Sequence, residues 1–180
     1  ALVTAGPTRE YIDPVRYISN ESSGKQGYEI ALALSKLGIK TTMIIGPSNL
    51  ITQKNIKTKK IVTAKEMLIE VKKSLPVDVA ISTEAVTDFR PTIKNKNKLK
   101  KDLNKMKSIN LEKNEDILEY LSKNNKYRPK LVVGFSAETE NLNKNSISKM
   151  KKKNCDLIVA NDVSKQGRGF NSDYNEVSII

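Results

Sequence analysis

Short apolar runs alternate along the chain with longer segments in which apolar residues recur at helical spacing. Bounded apolar runs predict buried strands, and a period of about 3.6 residues predicts amphipathic helices. The predicted strands cover residues 2–4, 41–45, 60–62, 77–82, 131–135 and 156–160. The predicted helices cover residues 25–37, 64–74, 116–123 and 144–152. Because strands separated by helices form βαβ units, we expect an α/β fold, a three-layer Rossmann-like domain with a mainly parallel sheet.

The segment over residues 83–114 differs from the rest of the chain. It is polar, rich in lysine and without clear periodicity. A loop of this length in a compact domain usually serves a function. Since it follows the end of a predicted strand, we expect it to close over the crevice at that edge of the sheet.

Length and composition favour one domain with an aliphatic core. The chain has 180 residues, of which 38% are hydrophobic and 5% aromatic, and we expect a single domain over residues 1–180. No apolar run approaches the roughly 20 residues that span a membrane, and no signal peptide is visible. Because the chain begins without Met and stops within a strand-like run, we expect it to be a piece of a longer polypeptide.

The cysteine and histidine content restricts the chemistry. Cys155 is the only cysteine, so an intrachain disulfide is excluded and a cytoplasmic location is expected. It precedes an apolar, strand-like run and is interpreted as a packing residue. The chain has no histidine, which excludes Ser–His and Cys–His nucleophiles and histidine metal sites. Any chemistry must therefore use lysine, arginine, carboxylates, amides and backbone donors.

The net charge of +12 comes almost entirely from lysine. One interpretation is a basic nucleic-acid-binding module that neutralises phosphates. The other is a general enrichment in lysine, because the lysines are scattered and the few aromatic residues are not interleaved with them. We favour the second interpretation and expect no nucleic-acid partner.

Glycines, serines and arginines are concentrated at residues 5–27, where a strand is predicted to lead into a helix. At such a junction the end of the strand leaves a crevice. The first turn of the helix adds unpaired N–H donors and the positive end of its dipole. We therefore expect a phosphorylated ligand to bind there.

Two common nucleotide motifs fail in this loop. A Walker A loop needs Ser or Thr after Gly-Lys, but Gln26 follows Gly24-Lys25. A dinucleotide fingerprint needs closely spaced glycines after the first strand, and the glycine after Gly6 is Gly24. What remains is SSGKQG (22–27) at a helix start. It is either a phosphate-binding loop or a serine N-cap with glycines for close packing.

A series of motifs along essentially the whole chain resembles the phosphopantothenate–cysteine ligases, also called phosphopantothenoylcysteine synthetases. The motifs are GPTREYIDPVRYISNESSGKQG (6–27), AVTDFRP (85–91), KLKK (98–101), NEDIL (114–118), VGFSAET (133–139), ANDV (160–163) and FNSDYNEV (170–177). The combination is far more specific than any one of these motifs.

This resemblance implies a two-step reaction in coenzyme A biosynthesis. The carboxylate of 4′-phosphopantothenate attacks the α-phosphate of a nucleoside triphosphate, pyrophosphate leaves, and an acyl-nucleotidylate forms. The amine of L-cysteine then attacks the acyl carbon and releases the nucleoside monophosphate. The resemblance implies CTP as the nucleotide, with ATP as the alternative, and Mg²⁺ with the triphosphate. It also implies a homodimer, and a flavin-dependent decarboxylase fused ahead of the ligase.

The resemblance assigns roles to individual residues. Asn20 and Lys98 would be catalytic, Asn20 by holding the acyl group and Lys98 by neutralising charge at the reacting phosphate. The substrate-binding residues would be Arg16, Asn20, Ala85 and Asp88, with Arg16 reaching the neighbouring subunit's site. The nucleotide-binding residues would be Gly6, Ser22, Gly24, Gly27, Asp88, Lys98, Asn114, Asp116, Ile117, Phe135, Lys149, Lys153 and Asn161. Metal ligands remain unassigned.

From the residues alone, interpretations in which these side chains have purely structural or solvent-exposed roles stay open. Arg16 and Lys98 are typical of solvated loops, and Phe135 is typical of a core aromatic at a strand end. Lys149 and Lys153 are four residues apart, so one helix face would present both. A nicotinamide-dependent oxidoreductase on the same fold is the other enzyme class considered. The chain lacks its glycine fingerprint and a suitably placed Tyr-x-x-x-Lys pair.

One position departs from the family pattern. The family usually has two alanines before Val86, and here the pair is Glu84-Ala85. A carboxylate beside an anionic substrate repels it. Either Glu84 points away and only its backbone binds, or its charge weakens substrate affinity. The family's NPDI is NEDI here, which keeps Asn114 and Asp116.

Overall fold

The computed structural model describes residues 1–100, 108–123, 126–164 and 174–180. None of the helices in these ranges combines the length and apolarity that crossing a membrane would need. In chain order the elements are β1 (Leu2–Ala5), β2 (Glu10–Tyr11), β3 (Tyr17–Ile18), α1 (Lys25–Lys36), β4 (Thr42–Ile45), β5 (Lys57–Lys60), α2 (Ala64–Ser74), β6 (Val79–Ser82), β7 (Phe89–Pro91), β8 (Leu111–Lys113), α3 (Ile117–Lys123), β9 (Leu131–Glu138), α4 (Leu142–Lys153), β10 (Leu157–Asp162) and β11 (Val177–Ile179).

The central sheet has seven strands in the order β11-β10-β9-β6-β1-β4-β5. Strand β1 lies near its middle, and Leu2 pairs in parallel register with Thr42 of β4 and Ala80 of β6. All pairings in this sheet are parallel except that of β10 with β11. The predicted α/β fold with a mainly parallel sheet is therefore confirmed.

Apolar residues of the sheet alternate between its two faces, as the period of a strand requires. Leu2, Ile44 and Val132 pack with α2 and α3 in one buried cluster. Val3 and Met43 pack with α1 in another. The fold thus has helices on both faces of the sheet, which is the predicted three-layer arrangement.

Cys155 is buried in the cluster on the α2 and α3 face. Burial raises the pKa of its thiol, with the neighbouring charge of Asp156 acting in the same direction. A buried thiol of raised pKa is poorly reactive. This agrees with its interpretation as a packing residue.

The predicted strand over residues 60–62 was wrong in its position, because β5 covers Lys57–Lys60. Strand β5 is an edge strand of lysines and one threonine, so it carries little of the apolar signal that predicts strands. Its buried anchors are Ile56 and Ile61, one before the strand and one after it. After β5 the chain pairs with the first loop instead of the sheet, because Val62 O accepts a hydrogen bond from Arg9 N at 2.8 Å.

The segment over residues 83–114 is not wholly irregular, which corrects the expectation for it. Strand β7 pairs antiparallel with β8, so this segment forms a hairpin, although residues 101–107 lie outside the described residues. The smaller β2–β3 hairpin within the first loop was missed as well. Leu111 and the rest of β8 are exposed, so no alternation of buried and exposed positions signals that strand.

Candidate functional site

The predicted phosphate loop brings the first turn of α1 against the end of β1. Gly6 and Gly24 have φ angles of 73° and 78°, and a Cβ on Gly24 would lie 3.3 Å from Gly6 Cα. A Cβ on Gly27 would lie 2.6 Å from Ala5 Cβ and 2.2 Å from Thr83 Oγ1. The glycines therefore let the helix start sit directly on the ends of β1 and β6.

The first turn of α1 has polar but uncharged partners. The N-cap is Gly24 rather than either serine, and Ser22 Oγ and Ser23 Oγ accept from Gly24 N and Lys25 N, each at 3.3 Å. No acidic residue stands in this turn. The first turn itself thus supplies no carboxylate to complement the N-terminal dipole, which favours an anionic ligand.

A cavity of about 140 Å³ lies at the carboxyl edge of β6 and β9, on the side of α3 and α4. Its position agrees with the rule that ligands of open α/β sheets bind beyond the carboxyl ends of the strands. Thr83 contacts Gly27 of α1, and the next residue, Glu84, lines the cavity. The predicted site residues that line it are Asp88, Asn114, Asp116, Ile117, Phe135, Lys149 and Lys153.

Lys149 and Lys153 supply the positive charge of the cavity from one face of α4. Lys149 Nζ donates to Phe135 O at 2.8 Å. Lys153 Nζ donates to Asp116 Oδ2 at 2.6 Å and to Glu119 Oε2 at 3.1 Å. Burial opposes the charge of Lys153, but these two carboxylates outweigh burial and raise its pKa. These contacts leave N–H donors of both ammonium groups available for an anionic ligand, since each group carries three.

The carboxylates that pair with Lys153 are themselves stabilised as anions. Hydrogen bonds from Lys123 and Lys153 lower the pKa of Glu119 to about 2. Asp116 Oδ1 accepts from Glu119 N at 2.7 Å, so Asp116 caps the start of α3 while its other oxygen holds Lys153. The predicted nucleotide residue Asp116 thus fixes the helix and the cation together.

Asn114 ties together two walls of the cavity. Its Nδ2 donates to Thr87 O at 2.8 Å and its Oδ1 accepts from Arg90 Nη1 at 2.9 Å. Asn114 N donates to Asp88 O at 2.8 Å. These bonds hold the predicted nucleotide residue Asp88 next to the start of α3. Asn114 therefore shapes the site through its contacts with residues 87–90.

The predicted substrate residues Asn20 and Ala85 adjoin one another through the first loop. Ala85 N donates to Gly6 O at 2.9 Å, and Pro7 forms a parallel bridge with Ala85. Asn20 Nδ2 donates to Val86 O at 3.0 Å. Three separate parts of the sequence, around residues 6, 20 and 85, are thus brought to one edge of the sheet.

Glu84 lines the cavity, and its carboxyl accepts a hydrogen bond from the Thr4 hydroxyl. Burial raises the pKa of this carboxyl and the charge of Asp116 adds to that rise, while the Thr4 bond and the charge of Lys149 oppose it. Burial therefore opposes ionisation of Glu84, and with it the repulsion of an anion.

Besides Ala85 and the other predicted residues of the loop over 6–27, three more, Arg16, Lys98 and Asn161, do not line this cavity. Arg16 and the exposed Lys98 belong to two loops that contact each other, since Arg16 Nη2 donates to Leu99 O at 3.2 Å. Asn161 is in β10, and its Oδ1 is buried with no hydrogen-bond partner among the described residues. In the motif FNSDYNEV, residues 170–173 lie outside the described residues, as does Lys101 of KLKK.

Sequence reasoning missed two polar residues that matter to the arrangement. Ser82 lines the cavity, and its buried Oγ has no hydrogen-bond partner within the described residues. It ends the otherwise apolar run VAIS, and this break in the pattern could have marked it. Asp13 is completely buried beside Arg16. The Asp-Pro pair at residues 13–14 is a turn signal that could have marked it.

Comparisons with known proteins agree with the resemblance. The family model for the DNA/pantothenate metabolism flavoprotein C-terminal domain matches residues 1–180. The chain is 43% identical over 181 residues to the coenzyme A biosynthesis bifunctional protein CoaBC of Vibrio parahaemolyticus, covering 99% of this chain and 45% of that protein. It is 41% identical over 182 residues to CoaBC of Escherichia coli K12, again covering 99% and 45%. The chain therefore spans less than half the length of these curated relatives.

A solved structure extends the likeness to three dimensions. The crystal structure of the C-terminal domain of a coenzyme A biosynthesis bifunctional protein CoaBC matches with a TM-score of 0.78 and 37% sequence identity. The match covers 99% of this chain and 84% of that one. The likeness therefore extends over nearly all of this chain.

Proposed function

The chain belongs to the DNA/pantothenate metabolism flavoprotein C-terminal domain family, and from this premise we propose that it joins 4′-phosphopantothenate to L-cysteine in coenzyme A biosynthesis. The reaction proceeds through an acyl-nucleotidylate, with pyrophosphate released in the first step and a nucleoside monophosphate in the second. The name of the bifunctional relatives places them in coenzyme A biosynthesis. Those relatives give no support to a nicotinamide oxidoreductase or to a nucleic-acid-binding module.

The observation that carries this proposal is the pairing of the cavity with the start of α1 at one edge of the sheet. Lys149 and Lys153 line the cavity, and the N–H groups of α1 adjoin it across Thr83 and Glu84. Nucleotidyl transfer requires neutralisation of phosphate charge and positioning of reactants more than acid–base catalysis. A site of lysines, amides and backbone donors without histidine meets that need.

We assign the nucleotide to this cavity and the phosphopantothenate to the adjoining edge. Phe135 would contact the base or the sugar of the nucleotide, and Lys149 would bind its phosphates. Asn20 and Ala85 would hold the acyl group. The cavity of about 140 Å³ is smaller than the roughly 300–1,000 Å³ of typical ligand pockets. A bound nucleotide therefore extends from it toward the start of α1.

CTP is the proposed nucleotide, with ATP as the alternative, and Mg²⁺ is proposed to enter with the triphosphate. Asp88 and Glu115 line the cavity and offer the oxygen ligands that Mg²⁺ prefers. Across the described ranges, no group of three or more acidic, cysteine or histidine residues is arranged to hold a metal ion. The phosphates would thus supply most of the ligands, as is usual for Mg²⁺.

The proposal extends to assembly and location. We propose a homodimer in which Arg16 reaches the neighbouring subunit's site, and a flavin-dependent decarboxylase in the same polypeptide, as the word bifunctional in the name of the relatives suggests. A cytoplasmic location follows from the nature of the substrates and remains part of this proposal.

The test is pyrophosphate release measured with purified protein, Mg²⁺ and each nucleotide in turn. Release is expected with phosphopantothenate and CTP but without cysteine, because activation of the carboxylate precedes amide formation. CTP is expected to outperform ATP. A first step that strictly requires cysteine would contradict the two-step reaction, and no release under any condition would contradict the ligase function.

A further inference from the structure

Asp13, Arg16 and Leu99 form a closed ring of polar contacts outside the cavity. Arg16 Nη1 lies 3.4 Å from Asp13 Oδ2. Arg16 Nη2 donates to Leu99 O at 3.2 Å, and Leu99 N donates to Asp13 Oδ2 at 3.2 Å. Both polar groups of the Leu99 backbone are therefore fixed by residues of the first loop.

The other oxygen of Asp13 shapes the turn that carries Arg16. Asp13 Oδ1 accepts from Val15 N at 2.8 Å and from Arg16 N at 2.9 Å. The side chain is 0% exposed. Burial opposes its charge, but three backbone N–H donors and the Arg16 guanidinium outweigh burial and lower its pKa. One buried carboxylate thus holds the Arg16 turn with one oxygen and residue 99 with the other.

A second pair of contacts joins the same two loops without involving Asp13. Asn95 N donates to Ile12 O at 2.9 Å, and Asn95 Nδ2 donates to the same oxygen at 3.3 Å. These bonds fix residue 95, whereas the ring fixes the backbone four residues later, at Leu99. The direction of the chain at Lys98 therefore depends on the peptide groups that Asp13 and Arg16 bind.

We propose that Asp13 is a positioning residue that couples Arg16 to Lys98. Asp13 does not line the cavity proposed for the nucleotide. It acts by fixing the Arg16 turn and the backbone next to Lys98 with a single carboxylate. The inference rests on the proposed function, since that function assigns Arg16 to the substrate and Lys98 to the reacting phosphate. Its structural part, the coupling of the two loops, can be measured without any activity.

The first measurement is amide hydrogen exchange at Leu99 in Asp13→Asn. The amide keeps one acceptor oxygen for the turn but loses the charge and the second oxygen that Leu99 N–H binds. Exchange at Leu99 is expected to speed up at least about tenfold, because this N–H loses its protein acceptor. Asn95→Ala is the matched control, since it removes only a side-chain bond to Ile12 and leaves the ring intact. Unchanged exchange at Leu99 in Asp13→Asn would overturn the proposal.

Asp13→Ser covers the case in which Asp13→Asn fails to fold. Serine still accepts from the N–H groups of its own turn but is too short to reach Leu99. Circular dichroism would verify the fold, and the same faster exchange at Leu99 is expected. Native-like exchange in a folded Asp13→Ser protein would equally overturn the coupling.

The second measurement is a double-mutant cycle on pyrophosphate release, using Asp13→Asn, Lys98→Ala and the double variant. If Asp13 acts through Lys98, the double variant loses less kcat than the product of the two single losses, and any loss that Asp13→Asn still causes in the Lys98→Ala background comes through Arg16. Losses that multiply fully would show that Asp13 acts independently of Lys98 and would refute the coupling. A parent protein without pyrophosphate release would refute the proposed function and leave the exchange result to decide the coupling.

Discussion

The hydroxyl of Thr4, in the interior strand β1, donates a hydrogen bond to the carboxyl of Glu84, which follows the neighbouring strand β6. Asp88, Glu115 and Asp116 line the same cavity, so Glu84 adds a fourth acidic group to a site proposed for anionic ligands. Burial raises the pKa of Glu84. The bond from Thr4 acts against this rise, because it stabilises the ionised carboxyl.

Replacing Glu84 by glutamine is expected to stabilise the protein at neutral pH. A buried acid whose pKa is raised in the native state binds more protons than the unfolded chain, so stability falls as pH rises through that pKa. Glutamine has nearly the shape of glutamic acid and keeps the contact with Thr4. Because glutamine does not ionise, the Glu84→Gln variant avoids this loss of stability. We expect about 1 kcal/mol of stabilisation near pH 7, or a Tm about 2–4 °C higher.

Thermal unfolding of parent and variant from pH 4 to pH 8 would measure this effect. All other titrating groups are shared, so the difference between the two curves reports Glu84. The advantage of Glu84→Gln should shrink toward about pH 4, where the unfolded chain also holds the proton. A difference that stays constant with pH would show that Glu84 does not titrate in this range.

Glu84→Ala is expected to bind phosphopantothenate as well as the parent or better. The variant removes a carboxyl that repels an anion whenever it ionises, and it restores the alanine pair usual in the resembling family. Isothermal calorimetry at pH 8, where ionisation is greatest, would measure the affinity. A clear loss of affinity would indicate that Glu84 makes a productive contact with the substrate.

Lys98→Ala is expected to slow the activation step about a hundredfold, the order of loss found when a charge-stabilising group is removed. Because Lys98 is exposed, stability should change by less than about 0.5 kcal/mol. Lys94→Ala is a suitable control, since it removes an equal charge from the same segment. Pyrophosphate release would be measured in single turnover, and near-parental rates in Lys98→Ala would contradict the role given to this lysine.

Subunit complementation would test whether Arg16 acts in the partner's site. Arg16→Ala and Lys98→Ala homodimers should each be nearly inactive. In mixed dimers one site keeps its own Lys98 and receives Arg16 from its neighbour, while the other site lacks both. With random exchange, roughly a quarter of parental activity is expected for an isologous interface. Since Arg16 also binds Leu99 within its own chain, a quarter is an upper bound.

Sedimentation of the parent would first establish that the chain forms dimers. Subunit exchange would then be followed with a fluorescent label on one variant. Activity that fails to return despite proven exchange would mean that Arg16 acts within its own subunit or takes no part in the reaction.

Much of the fold could be predicted because its main elements carry strong hydrophobic patterns. Strands β1 and β4 are almost wholly buried, so they stand out as apolar runs. Strand β5 and the hairpin of β7 and β8 are partly exposed and rich in polar residues, and they form strands because of the partner strand each one meets. Local patterns do not carry such information.

The candidate site shows the same division. The motifs identified Asp116, Lys149 and Lys153, and these residues line one cavity. No motif predicts that Lys153 is paired with Asp116 and Glu119, or that Thr4 reaches Glu84, because these contacts join residues 34 to 80 positions apart. The buried Asp13 was overlooked because its partners Arg16 and Leu99 meet only in the folded chain.

The central place of β1 in the sheet has a consequence for how the chain folds. Leu2 has its partners at Thr42 and Ala80, about 40 and 80 residues away, and such distant pairings slow folding. Strand β1 must wait, during synthesis, until β6 has left the ribosome before both its edges are filled. Pulse-labelling hydrogen exchange during refolding should therefore find the amides of β1 protected later than those of the locally bonded helix α2.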